Sequence, residues 1–247
     1  MQASASEMED KRREGRPADR ERCGILLDFD HTLFDTDRFF WVDLKSAFTR
    51  FGIPDDAWES SYDAIWRSGY SLVKHFDELA RVSAIRGPDL RKTMLAAFDA
   101  DFSDLRPYLF PDVPGFLKAA RDRGFDLILL SFGDTAWQSY KVQASGITPL
   151  FQRIVYTAKP HGKAEMVDEI GSRYRALYAI DNNPADLDAM KARNSDLQTH
   201  LICRVETLSP EESDRKDPDR FREAARYLTI PARLPHHRCR SLDEVSL

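Results

Sequence analysis

The stretch Gly24-Ile25-Leu26-Leu27-Asp28-Phe29-Asp30-His31-Thr32-Leu33 runs four residues of an apolar strand into two aspartates one residue apart. A short aliphatic run bounded by polar and turn residues reads as a fully buried strand of a parallel sheet. Two later runs end in the same manner. Phe125-Asp126-Leu127-Ile128-Leu129-Leu130 passes into Ser131-Phe132-Gly133-Asp134, and Ala176-Leu177-Tyr178-Ala179-Ile180 passes into Asp181-Asn182-Asn183-Pro184. Ligands of open α/β sheets bind beyond the carboxyl ends of the strands. The three endings would therefore bring carboxylates and a hydroxyl to one sheet edge.

Working outward, the first strand covers about Gly24 to Asp28, and the next begins only near residue 125. The intervening segment has helical spacing throughout: Phe39, Phe40, Leu44, Ala47, Phe48 and Phe51, then Trp58, Tyr62, Ile65 and Trp66, then Leu72, Phe76 and Leu79, then Leu90, Met94 and Phe98. Pro54 before Asp55-Asp56 and Pro88 before Asp89 mark helix starts, because proline and acidic residues suit the first turn. From Leu109 the pattern alternates. A helix from Gly115 to Arg123 is stopped by Gly124, and another from Thr135 to Ala144 by Gly146. Strand Arg153–Thr157, helix Lys163–Ile170, strand Ala176–Asp181, helix Pro184–Arg193 and strand His200–Val205 follow. This order predicts an α/β fold with a parallel sheet, helices on both faces and right-handed crossovers. Residues 23–36 and 109–247 would make the core, and residues 37–108 an all-helical insertion.

A chain of 247 residues with 42% hydrophobic and 31% charged residues has the composition of an ordinary globular protein. Its formal charge of -5 favours neither nucleic acid nor an anionic membrane. No apolar stretch approaches the roughly 20 residues of a membrane helix. Residues 1–22 are polar, mix both charge signs and lack the apolar stretch of a signal peptide, so they read as a disordered tail. Cys23, Cys203 and Cys239 are widely spaced, as reduced thiols of a cytoplasmic protein are. Oligomeric state is not legible. The stretch Thr207 to Arg220, rich in charge, serine and proline, reads as a loop, and Ser241 to Val245 as a final turn.

Asp28-Phe29-Asp30-His31-Thr32-Leu33 resembles the DxDx[TV]L motif of the haloacid dehalogenase-like superfamily, and the likeness extends in order and spacing to Arg204. It implies a Rossmann-like core, a helical cap formed by the insertion, Mg²⁺ as cofactor and a small phosphorylated metabolite as substrate. Asp28 would be the nucleophile and Asp30 the general acid and base, its backbone carbonyl joining the metal shell. Ser131 would supply a hydroxyl to the phosphoryl oxygens, with Thr32, Phe132 and Gly133 around them. The charge-neutralising lysine could be Lys159 or Lys163. Lys163 is preferred because the apolar helix pattern Ala164, Met166, Val167, Ile170 begins directly after it, and Lys159 would then contact phosphate. Asp28, Asp30, Asp181, Asn182 and Asp186 would surround the metal. Asn182 stands where many relatives carry a second aspartate, which would weaken metal binding without abolishing it.

The chemistry agrees with that pattern. A carboxylate can attack a phosphate monoester only when a metal and a cation neutralise the repulsion, and the product is an aspartyl-phosphate. Halide leaves without a proton, so a carboxylate at position 30 argues for phosphate transfer rather than dehalogenation. A phosphomutase would use the same residues, and an inactive scaffold could serve as a binding protein. Other residues read as structural. Asp134 and Asp186 taken singly are helix caps or turn formers, His31 is solvent-exposed near a hinge, and His161 is a loop residue. Trp41, Trp58, Trp66 and Tyr70 form the insertion's own core, with one or two facing substrate. Arg67, Lys74 and His75 are possible substrate contacts, Trp137 and Tyr140 are packing residues, and His236-His237 lies in a basic tail. Hinges are expected at Leu33–Thr36 and Tyr108–Pro111.

Overall fold

The computed structural model describes residues 22–66, 69–82, 90–159, 162–207 and 221–247. The expected starts and contacts at Pro88, Arg67 and His161, most of the polar tail and most of the Thr207–Arg220 loop lie outside them. At its centre is a parallel sheet of β1 (Cys23–Leu27), β2 (Asp126–Phe132), β3 (Arg153–Thr157), β4 (Ala176–Asp181), β5 (Gln198–Ile202) and β6 (His237–Cys239), in the spatial order β3-β2-β1-β4-β5-β6. Strand β1 is flanked by β2 and β4, and Leu27 is in register with Leu129 on one side and Ile180 on the other. The Asp28 N–H then donates to the Ile180 carbonyl at 3.0 Å. Register alone thus puts the ends of three strands side by side.

Successive strand residues face opposite sides of a sheet. Ile25 and Leu27 join a core with Leu117 and Val142, from α5 (Val113–Asp122) and α6 (Thr135–Ala144). Leu26 joins a second core with Val167, Ile170, Leu187 and Met190, from α7 (Gly162–Gly171) and α8 (Pro184–Arg193). Both faces are covered, which is why the strands read as continuous apolar runs rather than alternating ones.

Between β1 and β2 the chain is helical: a π-helical turn Arg38–Leu44 running into α1 (Lys45–Thr49), then α2 (Asp55–Ile65), α3 (Leu72–Val82) and α4 (Leu90–Asp101). Its aromatic residues pack on one another, Phe48 stacking on Trp58 with centroids 5.7 Å apart and meeting Phe76 edge-on at 4.8 Å. The two connections to the sheet pair with each other. Asp35 N–H bonds the Tyr108 carbonyl at 2.8 Å and Phe110 N–H the Leu33 carbonyl at 3.0 Å.

Several sequence expectations need correction. Arg22, assigned to the disordered tail, is anchored by its guanidinium to Asp126 at 3.1 Å. Strand β5 begins at Gln198 and stops at Ile202, and Arg204–Thr207 is a short 3₁₀ turn, because Arg204 is drawn inward by polar partners described below. His236 and His237 are no tail. His237 opens β6, and His236 is held by Asp188 at 3.1 Å and Thr199 at 2.8 Å. The final turn is a 3₁₀ turn, Leu242–Glu244, with Leu242 buried. No helix among the described residues is long and apolar enough to cross a membrane.

Candidate active site

Asp28 leaves the end of β1 with both carboxylate oxygens engaged. Oδ1 accepts from Lys163 Nζ at 2.7 Å, and Oδ2 from Thr32 Oγ1 at 3.1 Å. Thr32 is fixed in turn, because its carbonyl accepts from Nη2 and Nε of Arg204 at 2.7 and 3.2 Å, and Arg204 pairs with Asp112 at 2.6 Å. Thr32 therefore orients Asp28 from behind, which differs from a contact to phosphate.

Lys163, in the first turn of α7, is 4% exposed. Its ammonium also meets Asp181 Oδ2 at 2.7 Å and Asp186 Oδ2 at 3.5 Å. Burial works to lower its pKa, but Asp181, Asp28 and Asp186 outweigh that and raise it, so the group stays charged. Burial raises the pKa of both Asp28 and Asp181 despite that ammonium. Three carboxylates crowd around this one ammonium, an arrangement that is costly in a dry interior. Asp181 Oδ1 accepts from the Asn183 N–H at 2.8 Å, and Asn183 caps α8 by accepting from Ala185 N–H at 3.1 Å. Asp186 follows in the first turn of that helix. Asn182 lines the same cavity, and its buried Nδ2 has no hydrogen-bond partner. The donors are hard oxygens gathered at one point, a set that suits a divalent cation such as Mg²⁺. The residues fit that ion.

Ser131 ends the buried part of β2, 1% exposed, and its Oγ has no partner. A buried hydroxyl without a bond is costly, and here it lies on the strand next to Asp28. Gly133 has φ +143, and a Cβ there would meet Gln138 Nε2 at 2.6 Å, so glycine makes room for that amide. Its own N–H is spent on the Thr157 carbonyl at 2.9 Å. Phe132 and Gly133 both line the cavity. Lys159 is exposed, and the structure does not bring it to this group. Asp134 is an N-cap, accepting from Trp137 N–H at 3.0 Å.

Asp30 faces α6. It accepts from Thr36 Oγ1 at 2.6 Å, from Gln138 Nε2 at 2.8 Å, and from the Lys141 ammonium. Burial would raise its pKa, but Lys141 prevails and holds it at about 2. Lys141 is itself buried, among the rings of Phe29, Phe34 and Trp137. Sequence reasoning missed it. The signal was present as a lysine one turn beyond Trp137, on a helix face that also buries Gln138 and Val142.

His31 corrects an expectation: it is buried, at φ 59. The Phe29 carbonyl accepts from the N–H groups of Thr32, Leu33 and Phe34, and this tight turn forces residue 31 into the left-handed region. Its ring lies 3.7 Å from Asp37 and 3.6 Å from Glu223. Burial would lower its pKa, but the Glu223 and Asp37 carboxylates push it up to about 9. Ligand atoms of His31, Asp37 and Glu223 come within 4.8 Å of one another. All three are already engaged: Asp37 also accepts N–H bonds from Glu223 and Ala224 at 3.0 and 2.9 Å, and Glu223 accepts from the Tyr62 hydroxyl. Glu223 and the short helix α9 (Ala224–Leu228) thereby bring Arg226 and Tyr227 to the cavity, a contribution the sequence did not reveal. His75, one of three possible substrate contacts in the sequence, is buried inside the insertion against Ser61 Oγ at 2.8 Å and Tyr70 OH at 3.2 Å. Lys74 turns back to the Gly69 carbonyl at 2.8 Å. The cavity at this sheet edge has a volume of about 380 Å³, and Asp28, Asp30, Lys141, Lys163, Asn182 and Asp186 open into it.

A family model for haloacid dehalogenase-like hydrolases matches residues 24–193. No curated protein sequence matches the chain. Among solved structures, a haloacid dehalogenase-like hydrolase from Burkholderia xenovorans is 20% identical with a TM-score of 0.63, the match covering 90% of this chain and 94% of that one. The L-2-haloacid dehalogenase of Xanthobacter autotrophicus is 18% identical at a TM-score of 0.58, over 90% and 95% of the two chains. A hydrolase of Bacillus subtilis solved bound to magnesium is 17% identical at 0.55, over 91% and 96%. At such identities the likeness is one of fold.

Proposed function

This chain belongs to the haloacid dehalogenase-like hydrolases, and on that premise we propose that it is a Mg²⁺-dependent phosphatase of a small phosphorylated metabolite. One observation carries the reading. Asp28, Asp181 and Asp186 converge on the ammonium of Lys163 at 2.7, 2.7 and 3.5 Å, a crowd of buried hard oxygens of the kind that holds a divalent cation. Attack on a carbon–halogen bond has no use for such a carboxylate set, whereas attack on a phosphate dianion needs a cation beside the nucleophile.

Asp28, Asp181 and Asp186, with Asn182 and the Asp30 carbonyl, would hold the ion, which when bound supplies positive charge to the phosphoryl oxygens. An oxygen of Asp28 attacks phosphorus as the bond to the alcohol oxygen breaks, forming the aspartyl-phosphate. Asp30 and Lys141 hold one proton between them that the departing alkoxide can take. Asp30 then accepts a proton from water as the water attacks phosphorus, and inorganic phosphate leaves with Asp28 restored. Lys163 balances charge throughout, and Ser131 Oγ gains from a phosphoryl oxygen the hydrogen bond it otherwise lacks. The helical insertion would act as a cap, moving on the paired connections at Leu33–Thr36 and Tyr108–Pro111 and shielding the reaction from water.

The test is phosphate release from a panel of small phosphate esters by wild type and Asp28→Asn, with Mg²⁺ or EDTA. Release that requires both Asp28 and the metal is expected. Halide release from haloacids without phosphate release would overturn the reading. Turnover that required a bisphosphate would replace the phosphatase with a mutase.

A further inference from the structure

The cavity beside Asp28 has a polar floor and an aromatic wall, and the wall decides what kind of alcohol the phosphate is attached to. Phe39, Tyr70 and Trp137 line it from the insertion and α6, Tyr227 from α9, and Trp66 and Phe132 stand at its margin. The last two are each 42% exposed, among the few large apolar side chains so uncovered. One comes from the insertion and the other from the end of β2. Exposed aromatic groups flanking a cavity mark a binding surface.

Two hydroxyls on this side of the cavity are already bonded within the protein. The Tyr70 hydroxyl is bonded to His75, and that of Tyr62 to Glu223. A polyol placed against these rings would lose water and find both hydroxyls taken, and a site that pairs few of a ligand's hydroxyls selects against it. The buried Gln138 Oε1, next to Asp30, has no partner and is an acceptor on the polar side of the cavity. A flat ring, by contrast, loses little on leaving water and gains stacking and edge contacts with the aromatic side chains. We propose that the substrate is a phosphate monoester whose alcohol carries a planar apolar ring, held between Trp66, Tyr70, Trp137 and Phe132, rather than a sugar phosphate or a short phosphorylated acid. The proposal rests on the phosphatase reading for the reaction, though not for the binding.

Two measurements separate the two. The first compares kcat/KM for 2-naphthylmethyl phosphate and benzyl phosphate with that for ethyl phosphate and glycerol phosphate. All four release an alkoxide, so leaving-group ability does not mimic recognition. The ring esters are expected to be favoured at least about tenfold, and in Trp66→Ala that ratio should fall toward one. Trp66 is half uncovered, so the variant should fold. The second measures binding of benzylphosphonate and ethylphosphonate by calorimetry with Mg²⁺ present, and it needs no turnover. Tighter binding of the ring compound, reduced by Trp66→Ala, supports the proposal even if no ester is hydrolysed, in which case only the phosphatase reading fails. Equal affinity for the two phosphonates, or preference for glycerol phosphate among the esters, overturns the ring proposal while leaving phosphatase activity standing.

Discussion

Asp30 and Lys141 show how one residue's chemistry is set by another far away in the chain. The carboxylate is bonded by Thr36, Gln138 and Lys141, and Lys141 reaches it from a pocket of aromatic faces. If Lys141 acts through Asp30, the two must not be additive. Asp30→Asn should lower kcat by roughly 10² to 10⁴, the usual worth of a general acid and base. Lys141→Met should cost about tenfold alone and nothing further in the double variant, a coupling that a double-mutant cycle on kcat reads directly. Full additivity would make Lys141 a packing residue. His31 gives a second case. Because its backbone lies at φ 59, a replacement by alanine keeps the left-handed strain while discarding the ion pairs, and glycine removes the strain. His31→Gly should therefore be more stable than His31→Ala by about 1 kcal/mol, measured by urea unfolding. Glycine no better than alanine would show that the turn is unstrained. The sequence could name Asp28, Asp30, Ser131 and Asp181 because each ends a recognisable strand. It could not reveal that His31 is buried, since that depends on Glu223, separated from it by most of the chain.

Elements divide along the same line. Strands β3 and β4 and helices α6 and α8 were legible to the residue, and β1 and β2 to within one or two, because buried parallel strands are unbroken apolar runs and their helices start and stop on proline, asparagine and glycine. Strand β6 was not. Three residues, His237-Arg238-Cys239, carry no strand pattern, and pairing with β5 plus the Asp188–His236 contact just before them holds them. The segment around α9 was hidden for a similar reason. Its five residues would not be helical alone, and it is docked by tertiary bonds, chiefly the two N–H groups received by Asp37 and the contacts of Arg222 with Glu59 and the Trp41 ring. Asp37→Ala removes the acceptor of both N–H bonds. Amide exchange at Glu223 and Ala224 should then accelerate at least tenfold relative to the amides of β1, since a bond to a charged acceptor contributes about 1.5–3 kcal/mol. Uniform acceleration throughout the chain would instead indicate a global loss of stability.

At the scale of the whole molecule, the fold gathers buried carboxylates at one point. The sheet register aligns Asp28 with Asp181, α8 adds Asp186, α7 contributes only Lys163, and both faces of the sheet are dry. The metal-free protein should therefore carry a destabilising cluster that a divalent ion relieves. Wild type is expected to gain thermal stability in Mg²⁺, by about 2.7 kcal/mol when the ion is at 100 times its dissociation constant. Asp181→Asn removes one carboxylate from the cluster while keeping its shape. In EDTA this variant should melt no lower than wild type, because burial already pushes the carboxyl it removes up to about 8, yet its response to Mg²⁺ should be largely lost. Lys163→Met does the opposite. It leaves the buried carboxylates without their ammonium and should lower stability in EDTA by about 3–5 kcal/mol. Paired melting curves in Mg²⁺ and EDTA distinguish these outcomes without any substrate. An Asp181→Asn protein that kept the full Mg²⁺ shift would move the metal away from this sheet edge.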